Sequence, residues 1–300
     1  MIFLVTGTSS YIAKHVVKKL LADGDTVLGI SRTNPNIVHR NFHWFSHDLS
    51  KSPYKPNVAS VDIIVHMAAQ SLLNKSAVEY LQSNILLTYH VSKMAAELRP
   101  KGVVYTSSMK IYGEIREKVA TEGIDKINPE LYGQTKYFGE NLLQETVPTI
   151  SLRMPGVVAV GSHGWIDSVY SKLKKNEPLV IYNAPYNHVI HACDIYGIIK
   201  QIFTLGYYKN DAFNVCANGV TTSRDIVEFM KNELSSESPI EVKEHGNSMA
   251  HIISNKKLLN IYNPMDVKDT LKLYVKEMLE EENVKSFTRR ERKRMEPQST

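Results

Sequence analysis

Short β-branched or apolar runs alternate with longer helical patterns through the first half of this chain, and this alternation limits its possible folds more than any other feature. The strand-like runs are Ile2–Thr6, Thr26–Ile30, Asp62–Met67, Gly102–Ser107 and Thr149–Arg153. Helical patterns cover Tyr11–Ala22, Ser76–Leu98 and Glu130–Thr146. Strands separated by helices are typical of βαβ units. The sequence therefore predicts an α/β fold with a doubly wound parallel sheet.

The positive charge of the chain is concentrated at one end. The 300 residues carry a formal net charge of +5, and residues 285–300 hold six Lys or Arg and two Glu, which accounts for +4 of that total. The remaining residues are close to neutral, so nucleic-acid binding is not expected. The basic tail is predicted to be solvated and flexible.

No segment indicates export, a membrane span or a disulfide. The chain opens on Ile2-Phe3-Leu4-Val5 without a basic leader, and no apolar stretch approaches the length of a bilayer. We therefore expect a cytoplasmic protein with no integral membrane segment. The two cysteines, Cys193 and Cys216, lie in apolar surroundings. They are predicted to be buried free thiols, and no metal site is predicted.

The first predicted strand runs into a glycine turn and then a helix, Thr6-Gly7-Thr8-Ser9-Ser10-Tyr11-Ile12-Ala13. In a Rossmann-type sheet this is where a dinucleotide pyrophosphate meets a helix N-terminus. Gly7 permits the sharp turn, and Ala13 permits close packing of the helix. Ser10 stands where a second glycine is usual, so it brings a Cβ toward the phosphate but offers a hydroxyl as donor. As a motif on its own, this turn is degraded.

A second signal lies near the middle of the chain. Tyr132 and Lys136 are four residues apart, so they share one helical face and the ammonium can lower the phenol pKa from about 10. Ser108, at the end of an apolar run, offers a hydroxyl that could hold a substrate oxygen against that phenol. This spacing is also common on solvated helix faces, so the rest of the chain must decide between a structural and a catalytic role.

An ordered set of further motifs favours the catalytic role. It consists of the glycine turn, Asp48-Leu49, His66-Met67-Ala68-Ala69, Asn84, Ser107-Ser108 with Tyr112-Gly113, Tyr132 to Lys136, Leu152-Arg153 with Pro155-Gly156, and His191 with Asp194. In this order and spacing, residues 1 to about 280 resemble the extended short-chain dehydrogenase/reductases. That group contains nucleotide-sugar epimerases, dehydratases and 4-ketoreductases.

The resemblance implies a role for each matching residue. Ser108, Tyr132 and Lys136 would form the catalytic triad, and Lys136 would also bind the nicotinamide ribose. Asn84 would brace the active-site helix. The implied cofactor contacts are Gly7, Ser9, Ser10, Tyr11, Ile12, Ser31, Arg32, Asp48, Leu49, Met67, Ala68, Ala69, Asn84, Thr106, Lys136, Pro155, Val157 and Val158. The implied substrate contacts are Ser71, Ser108, Met109, Asn187 and His188.

Several of these residues also have structural interpretations. Asp48 could cap a loop, His66 could be a hydrogen-bonded histidine at a strand end, and Asn84 could be an amide on a helix surface. The resemblance places Asp48 and Leu49 at the adenine and Met67–Ala69 behind the phosphates and ribose.

The end of the second predicted strand bears on the type of cofactor. NAD-preferring sites usually have Asp or Glu there, whose carboxylate accepts from the ribose hydroxyls. This chain has Ser31-Arg32 instead. A hydroxyl and a guanidinium suit the 2′-phosphate of NADP, although an arginine after a strand can equally be solvated. NADP(H) is therefore predicted, with NAD(H) as the alternative.

The positions at which this chain departs from the family pattern help to choose among dehydration, epimerisation and reduction. Dehydratases that resemble this chain carry an Asp-Glu pair where Met109-Lys110 stand, so dehydration is not expected. The acidic strand end of tight NAD-binding epimerases is missing. A reductase fits best, with hydride passing from NADPH to a nucleotide-activated 4-keto-6-deoxy sugar while Tyr132 donates the proton. A nucleotide-sugar 4-epimerase is the first alternative, and a non-catalytic dinucleotide-binding sensor or scaffold is the second.

One departure concerns the substrate diphosphate. Many relatives have Arg where this chain has Asn187, which cannot supply a charge. Recognition would then come from Lys172, Lys174 or His188, or the substrate would lack a nucleotide.

The pattern loosens after Pro155, with helix candidates at Ile166–Lys175, Ser223–Leu234 and Val267–Glu282. We predict a dinucleotide-binding domain over residues 1–155 with a return segment near 187–216, a smaller C-terminal substrate-binding lobe over 156–284, and the basic tail. The long helices at Ser76–Leu98 and Glu130–Thr146 resemble the pair that forms an intersubunit bundle in this family. A homodimer is predicted, with apolar surface supplied by Ile85, Leu86, Tyr89 and Leu142.

Overall fold

A computed structural model describes residues 1–54, 56–58, 60–70, 75–244 and 251–295, without the side chains of residues 244 and 287–295. The strands are, in chain order, β1 (Ile2–Thr6), β2 (Thr26–Ser31), β3 (Phe42–Ser46), β4 (Ile63–His66), β5 (Gly102–Ser108), β6 (Val119–Ala120), β7 (Thr149–Met154), β8 (Gly156–Val158), β9 (Leu179–Asn183), β10 (Pro185–Tyr186), β11 (Val189–His191), β12 (Asp211–Asn214), β13 (Thr221–Thr222), β14 (Ile240–Glu244) and β15 (Ile252–Ile253). The helices are α1 (Tyr11–Ala22), α2 (Ala77–Tyr80), α3 (Leu87–Leu98), α4 (Leu131–Gln144), α5 (Trp165–Lys174), α6 (Ala192–Thr204), α7 (Ser223–Glu233) and α8 (Val267–Met295). A π-helical segment, Leu81–Leu86, joins α2 to α3, and 3₁₀ segments span Met109–Tyr112 and Leu258–Asn260.

Seven strands form one sheet in the order β12-β7-β5-β4-β1-β2-β3. Every neighbouring pair in it is parallel. The chain moves outward from β1 through β2 to β3 and then returns to β4 on the other side of β1. Ligands bind in such sheets at the carboxyl ends of the strands where the order reverses. The predicted doubly wound parallel sheet is confirmed, and it sets the site beyond the ends of β1 and β4.

Helices cover both faces of the sheet because alternate residues of each strand point to opposite sides. Phe3 and Val5 of β1 belong to the core that includes residues of α1 and α6. Leu4 lies in a second core with Val91 of α3 and Leu143 of α4. Both faces of the sheet are therefore buried, as parallel strands require.

A third apolar core lies in the smaller C-terminal lobe. It joins α5, α7 and α8 to β9, with residues such as Val169, Ile226 and Tyr274 at its centre. Strand β11 of this region pairs with β8, which follows directly on the main sheet strand β7. This short pairing connects the lobe to the carboxyl edge of the sheet.

The sequence patterns do not predict β3, β12 or α6. Helix α6 is rich in β-branched residues, including Ile195, Ile198, Ile199 and Ile202, all of which are buried. Such runs favour strands by intrinsic preference. Packing against α1 and the sheet decides in favour of the helix.

Helix α8 continues beyond its predicted end at Glu282 to Met295. Its outer surface carries charged pairs four residues apart, such as Lys276 with Glu280 at 3.9 Å and Lys285 with Glu281 at 3.0 Å, which stabilise a solvated helix. Within the described parts of the chain, no helix combines the length and the apolar character needed to cross a bilayer.

Candidate active site

The turn after β1 brings backbone close to the groove at the sheet edge. Gly7 has φ of +73°, and a Cβ there would lie 2.7 Å from the Cα of Ala68. Only glycine fits this approach at a left-handed φ. Ser10 is the N-cap of α1, and its hydroxyl accepts from the Ala13 N–H at 3.3 Å. The serine in place of the second glycine therefore caps the helix and still has its hydroxyl hydrogen to donate.

The loop after β4 is held by a buried hydrogen-bond chain. The Thr6 hydroxyl accepts from the N–H groups of Met67 and Ala68, each at 3.2 Å, so its own hydrogen goes to His66 Nδ1 at 2.8 Å. His66 Nε2 lies 3.1 Å from the Thr88 hydroxyl. Burial holds the pKa of His66 well below its usual 6.5. His66 is thus a neutral histidine that shapes the loop.

Asn84 links this loop to the helix of the triad. Its side-chain oxygen accepts from the Gln70 N–H at 2.7 Å, and its nitrogen donates to the Gln70 carbonyl at 3.2 Å and to the Thr135 hydroxyl at 3.0 Å. Asn84 lies in the π-helical segment, a feature that often marks functional sites. It is buried rather than on a helix surface, and it braces α4 from the side of the loop.

The three predicted catalytic residues converge on one cavity of about 330 Å³. Ser108 ends β5, while Tyr132 and Lys136 lie on one face of α4. Gly133 allows α4 to approach the 3₁₀ segment after Ser108, since a Cβ on it would lie 2.1 Å from the Lys110 carbonyl oxygen. The Tyr132 phenol shares a hydrogen bond with the Ser108 side chain.

The electrostatics of this pair differ from the expectation of a lowered phenol pKa. Burial raises the pKa of Tyr132 to about 12, against a lowering contribution from the Ser108 hydrogen bond. Burial also lowers the pKa of Lys136 to about 7, although Glu140 opposes this. The Lys136 ammonium lies 4.1 Å from the centre of the Tyr105 ring. Both groups are enclosed, and burial disfavours the charged form of each, so the phenol pKa rises and the ammonium pKa falls.

A buried ion pair supports the far side of α4. Arg153 at the end of β7 forms two hydrogen bonds with Glu140, at 2.8 and 3.1 Å, and its third donor reaches the Tyr112 hydroxyl at 2.9 Å. The arginine and the tyrosine both belong to the motifs singled out in the sequence. Their contacts fix α4 to the sheet one turn beyond Lys136.

A second cavity of about 210 Å³ extends from the first one toward the end of β2. The two cavities share Ser10, Met67 and Ala69 as lining residues, so together they form one groove across the sheet edge. Every predicted cofactor contact except Asn84 lines one of them. The first cavity is lined by Tyr11, Ile12, Thr106, Lys136, Pro155, Val157 and Val158. The second is lined by Gly7, Ser9, Ser31, Arg32, Asp48, Leu49 and Ala68.

Ser31 and Arg32 differ in what they can offer a ligand. The Ser31 hydroxyl lies 2.9 Å from the Thr8 hydroxyl, donates to the Thr33 carbonyl at 2.8 Å and accepts from Trp44 Nε1 at 3.0 Å. These contacts occupy it, so it is not free to bind a phosphate as expected. Arg32 is exposed at the cavity and helps to lower the pKa of Asp48.

Most of the predicted substrate contacts do not line the groove. Asn187 is buried, where its amide pairs with the backbone N–H and carbonyl of Ile253 at 3.0 and 2.7 Å, and it lines neither cavity. His188 Nε2 donates to the His251 carbonyl at 3.0 Å, and His188 lines neither cavity. Met109 begins the 3₁₀ segment and is likewise outside both linings. Ser71 lies outside the described residues.

The wall of the triad cavity comes instead from residues that the sequence patterns do not identify. They include His163, Trp165, Asp167 and Tyr186. Asp167 accepts from the Ser162 hydroxyl at 2.5 Å and from the Tyr274 hydroxyl at 2.8 Å, so its carboxylate is fixed by the lobe. Its place in the first turn of α5 is the one sequence signal for it, since acidic residues favour helix N-termini. Lys174, a candidate for the diphosphate, pairs with Glu282 at 3.4 Å.

Two known proteins similar to this chain are a 4-epimerase and a 4,6-dehydratase of nucleotide-linked glucose. UDP-glucose 4-epimerase of Halalkalibacterium halodurans is 28% identical over 45% of this chain and 43% of its own length. The mouse (Mus musculus) dTDP-D-glucose 4,6-dehydratase is 23% identical over 79% of this chain and 75% of its own length. The first of these matches spans less than half of either protein.

Among solved structures, UDP-glucuronic acid 4-epimerase from Bacillus cereus in complex with NAD superposes with a TM-score of 0.80 and 17% identity, covering 93% of this chain and 99% of that one. The model of the NAD dependent epimerase/dehydratase family matches residues 3–216. The resemblance to the extended short-chain dehydrogenase/reductases is therefore confirmed. The chain belongs to the NAD dependent epimerase/dehydratase family of enzymes.

Proposed function

We propose that this protein reduces the keto group of a nucleotide-activated 4-keto sugar, with NADPH as the preferred hydride donor. The observation that carries the proposal is the convergence of Ser108, Tyr132 and Lys136 on a cavity that is continuous with the groove ending at Arg32. Burial raises the pKa of Tyr132 to about 12, which agrees with a phenol that holds its proton at neutral pH, the form that donates to a keto oxygen.

The groove fits a nicotinamide dinucleotide. Gly7 presents backbone where a Cβ would strike Ala68, and the N-terminus of α1 faces the same groove through Ser10. Backbone N–H groups at a helix N-terminus suit a pyrophosphate. When bound, the dinucleotide supplies the hydride of the reaction.

The chain's own residues would handle the proton and the substrate oxygen. Ser108 donates a hydrogen bond to the keto oxygen, and Tyr132 passes its proton to that oxygen as the carbinol forms. Lys136, with its pKa lowered to about 7, is matched to return a proton to Tyr132 near neutral pH. Arg32, exposed at the other end of the groove, is the group that would favour a 2′-phosphate.

A second candidate is epimerisation at C4 of a nucleotide sugar. It is favoured by the similarity to the UDP-glucose 4-epimerase of Halalkalibacterium halodurans. An epimerase returns its hydride to the substrate, so it leaves the total of reduced cofactor unchanged. A reductase consumes one NADPH for each product.

The two candidates are separated by product and cofactor analysis. Purified protein is mixed with UDP- and dTDP-linked 4-keto sugars and NADPH, and in parallel with UDP-glucose or UDP-galactose without added reductant. We expect loss of absorbance at the NADPH band with the keto sugars and a carbinol product by mass and NMR. Interconversion of the UDP-hexoses without net cofactor change would support the epimerase, and activity in neither assay would count against both.

The role of Tyr132 is tested by Tyr132→Phe, with Tyr137→Phe on the exposed side of the same helix as a control. Removing the proton donor should lower turnover by roughly 10²- to 10⁴-fold. The control should keep the parent rate. Near-parent turnover by Tyr132→Phe would show that Tyr132 is not the proton donor.

A further inference from the structure

A cluster of four metal-ligating residue types lies outside the groove, on the side of the sheet covered by α1 and α6. His15 comes from α1, His191 and Cys193 from the start of α6, and Glu277 from α8. One ligand atom from each lies within 4.8 Å of all the others. The proposed reaction uses none of them. We call this the His-Cys-Glu cluster.

The contacts within the cluster assign different roles to its two histidines. His191 is fully buried and caps α6, because its Nδ1 accepts from the Cys193 N–H at 3.1 Å. In the neutral ring the hydrogen is therefore on Nε2. That atom lies 3.3 Å from Glu277 Oε2, but it has no hydrogen bond of good geometry among the described residues. A buried N–H thus points into the cluster without a well-formed partner.

The other three residues carry the lone pairs that a cation would use. His15 Nε2 lies 3.0 Å from Cys193 Sγ, and the Glu277 carboxylate lies beside them. All three side chains are half-buried. Zinc bonds of about 2.0–2.3 Å place neighbouring tetrahedral ligands roughly 3.5 Å apart. Small rotations of the half-buried side chains bring the cluster to that spacing.

We propose that His15 Nε2, Cys193 Sγ and the Glu277 carboxylate bind a zinc-class divalent cation, with His191 Nε2–H as a hydrogen-bond donor to a ligating atom. A thiolate, an imidazole and a carboxylate together select Zn²⁺ over Mg²⁺ or Ca²⁺, which prefer oxygen ligands. Three protein ligands leave the fourth position for water. The buried His191 N–H gains the partner that it lacks, as the outer residues of metal sites usually do. The bound ion would tie α8 to α1 and α6.

The test is a titration of metal-stripped full-length protein with Co²⁺, read by its absorption spectrum, followed by displacement with Zn²⁺. We expect one equivalent of Co²⁺ with a thiolate charge-transfer band and tetrahedral d–d bands, and a rise in Tm on adding Zn²⁺. Cys193→Ser should abolish the charge-transfer band. His15→Gln and Glu277→Gln should each weaken binding at least tenfold. His191→Ser, which keeps a capping oxygen but has no side-chain N–H, should weaken it by roughly ten- to a hundredfold.

Matched controls are Cys216→Ala, at the other cysteine, and His43→Gln, at an exposed histidine on β3. Both should bind Co²⁺ like the parent. A charge-transfer band that survives in Cys193→Ser overturns the proposal, as does a parent protein that takes up no stoichiometric metal. In the latter case, faster alkylation of Cys193 than of Cys216 would identify a reactive thiol instead. None of these measurements uses a dinucleotide or a sugar, so the result stands apart from the proposed reaction.

Discussion

Replacing Gly133 with alanine tests whether the close approach of α4 to the Lys110 carbonyl sets the position of Tyr132. The added Cβ would lie 2.1 Å from the Lys110 oxygen and 2.7 Å from its carbonyl carbon. Both are backbone atoms, so no flexible side chain can move aside. The helix and the 3₁₀ segment after Ser108 must separate instead.

The size of the effect follows from that distance. Ordinary C···O contacts begin at about 3.3 Å, so the two segments must part by roughly 1 Å. Helix propensity alone would make alanine more stable than glycine by about 1 kcal/mol, whereas overpacking of this kind costs about 1–3 kcal/mol. The clash should therefore cancel or outweigh the propensity gain. A displacement of about 1 Å between Tyr132 and Ser108 lowers turnover by roughly 10²-fold, which is about 2.7 kcal/mol of activation free energy.

The assay compares Gly133→Ala with Gly123→Ala, whose added Cβ would meet no atom within 4 Å. Turnover is measured with the nucleotide sugar that proves active in the product and cofactor analysis, and Tm is measured without any ligand. We expect the loss of turnover only in Gly133→Ala, together with a Tm no higher than that of the control. If Gly133→Ala gains Tm and keeps parent turnover, the close approach does not position the triad.

Three other outcomes are expected. Arg32→Ala should weaken NADPH binding by roughly ten- to a hundredfold and leave NADH binding nearly unchanged, and equal losses by titration calorimetry would contradict a contact with the 2′-phosphate. The pKa of His66 in the folded protein lies well below 6.5, so below pH 6.5 the unfolded chain binds more protons than the folded one. The stability that His66 contributes is therefore complete above pH 6.5 and is lost as the pH falls toward the folded-state pKa. The loss is at most about 1.4 kcal/mol per pH unit. Urea unfolding at pH 7.5 and 5.5 should show a smaller difference in His66→Gln than in the parent, and an unchanged difference would place the titration elsewhere. Leu86, in the π-helical segment before α3, and Phe138, on α4, are 37% and 48% exposed. Leu86→Glu with Phe138→Glu should therefore convert the predicted homodimer to monomer in light scattering, and a parent protein that is already monomeric would contradict the dimer.

The sequence by itself determined the five inner strands of the sheet and the groove at their ends. Helical and strand periodicities are local, so α1 begins and ends where the pattern predicts, at Tyr11 and Ala22. Once β1, β4 and β5 are parallel neighbours, their carboxyl ends meet at one edge of the sheet. Gly7, Met67 and Ser108 follow or end those strands, so they reach one groove without any further information.

Tertiary structure alone decided the pKa values of the triad, the hydrogen bonds of the groove residues and the clustering of side chains from distant helices. The pKa of Tyr132 rises because burial outweighs the hydrogen bond with Ser108, and burial depends on elements far from it in the chain. The Ser31 hydroxyl is taken by Thr8 and Trp44, which spacing does not reveal. His15 and Glu277 meet at Cys193 only because α1, α6 and α8 pack together. Contacts between distant segments set solvation and geometry, and a linear pattern records neither.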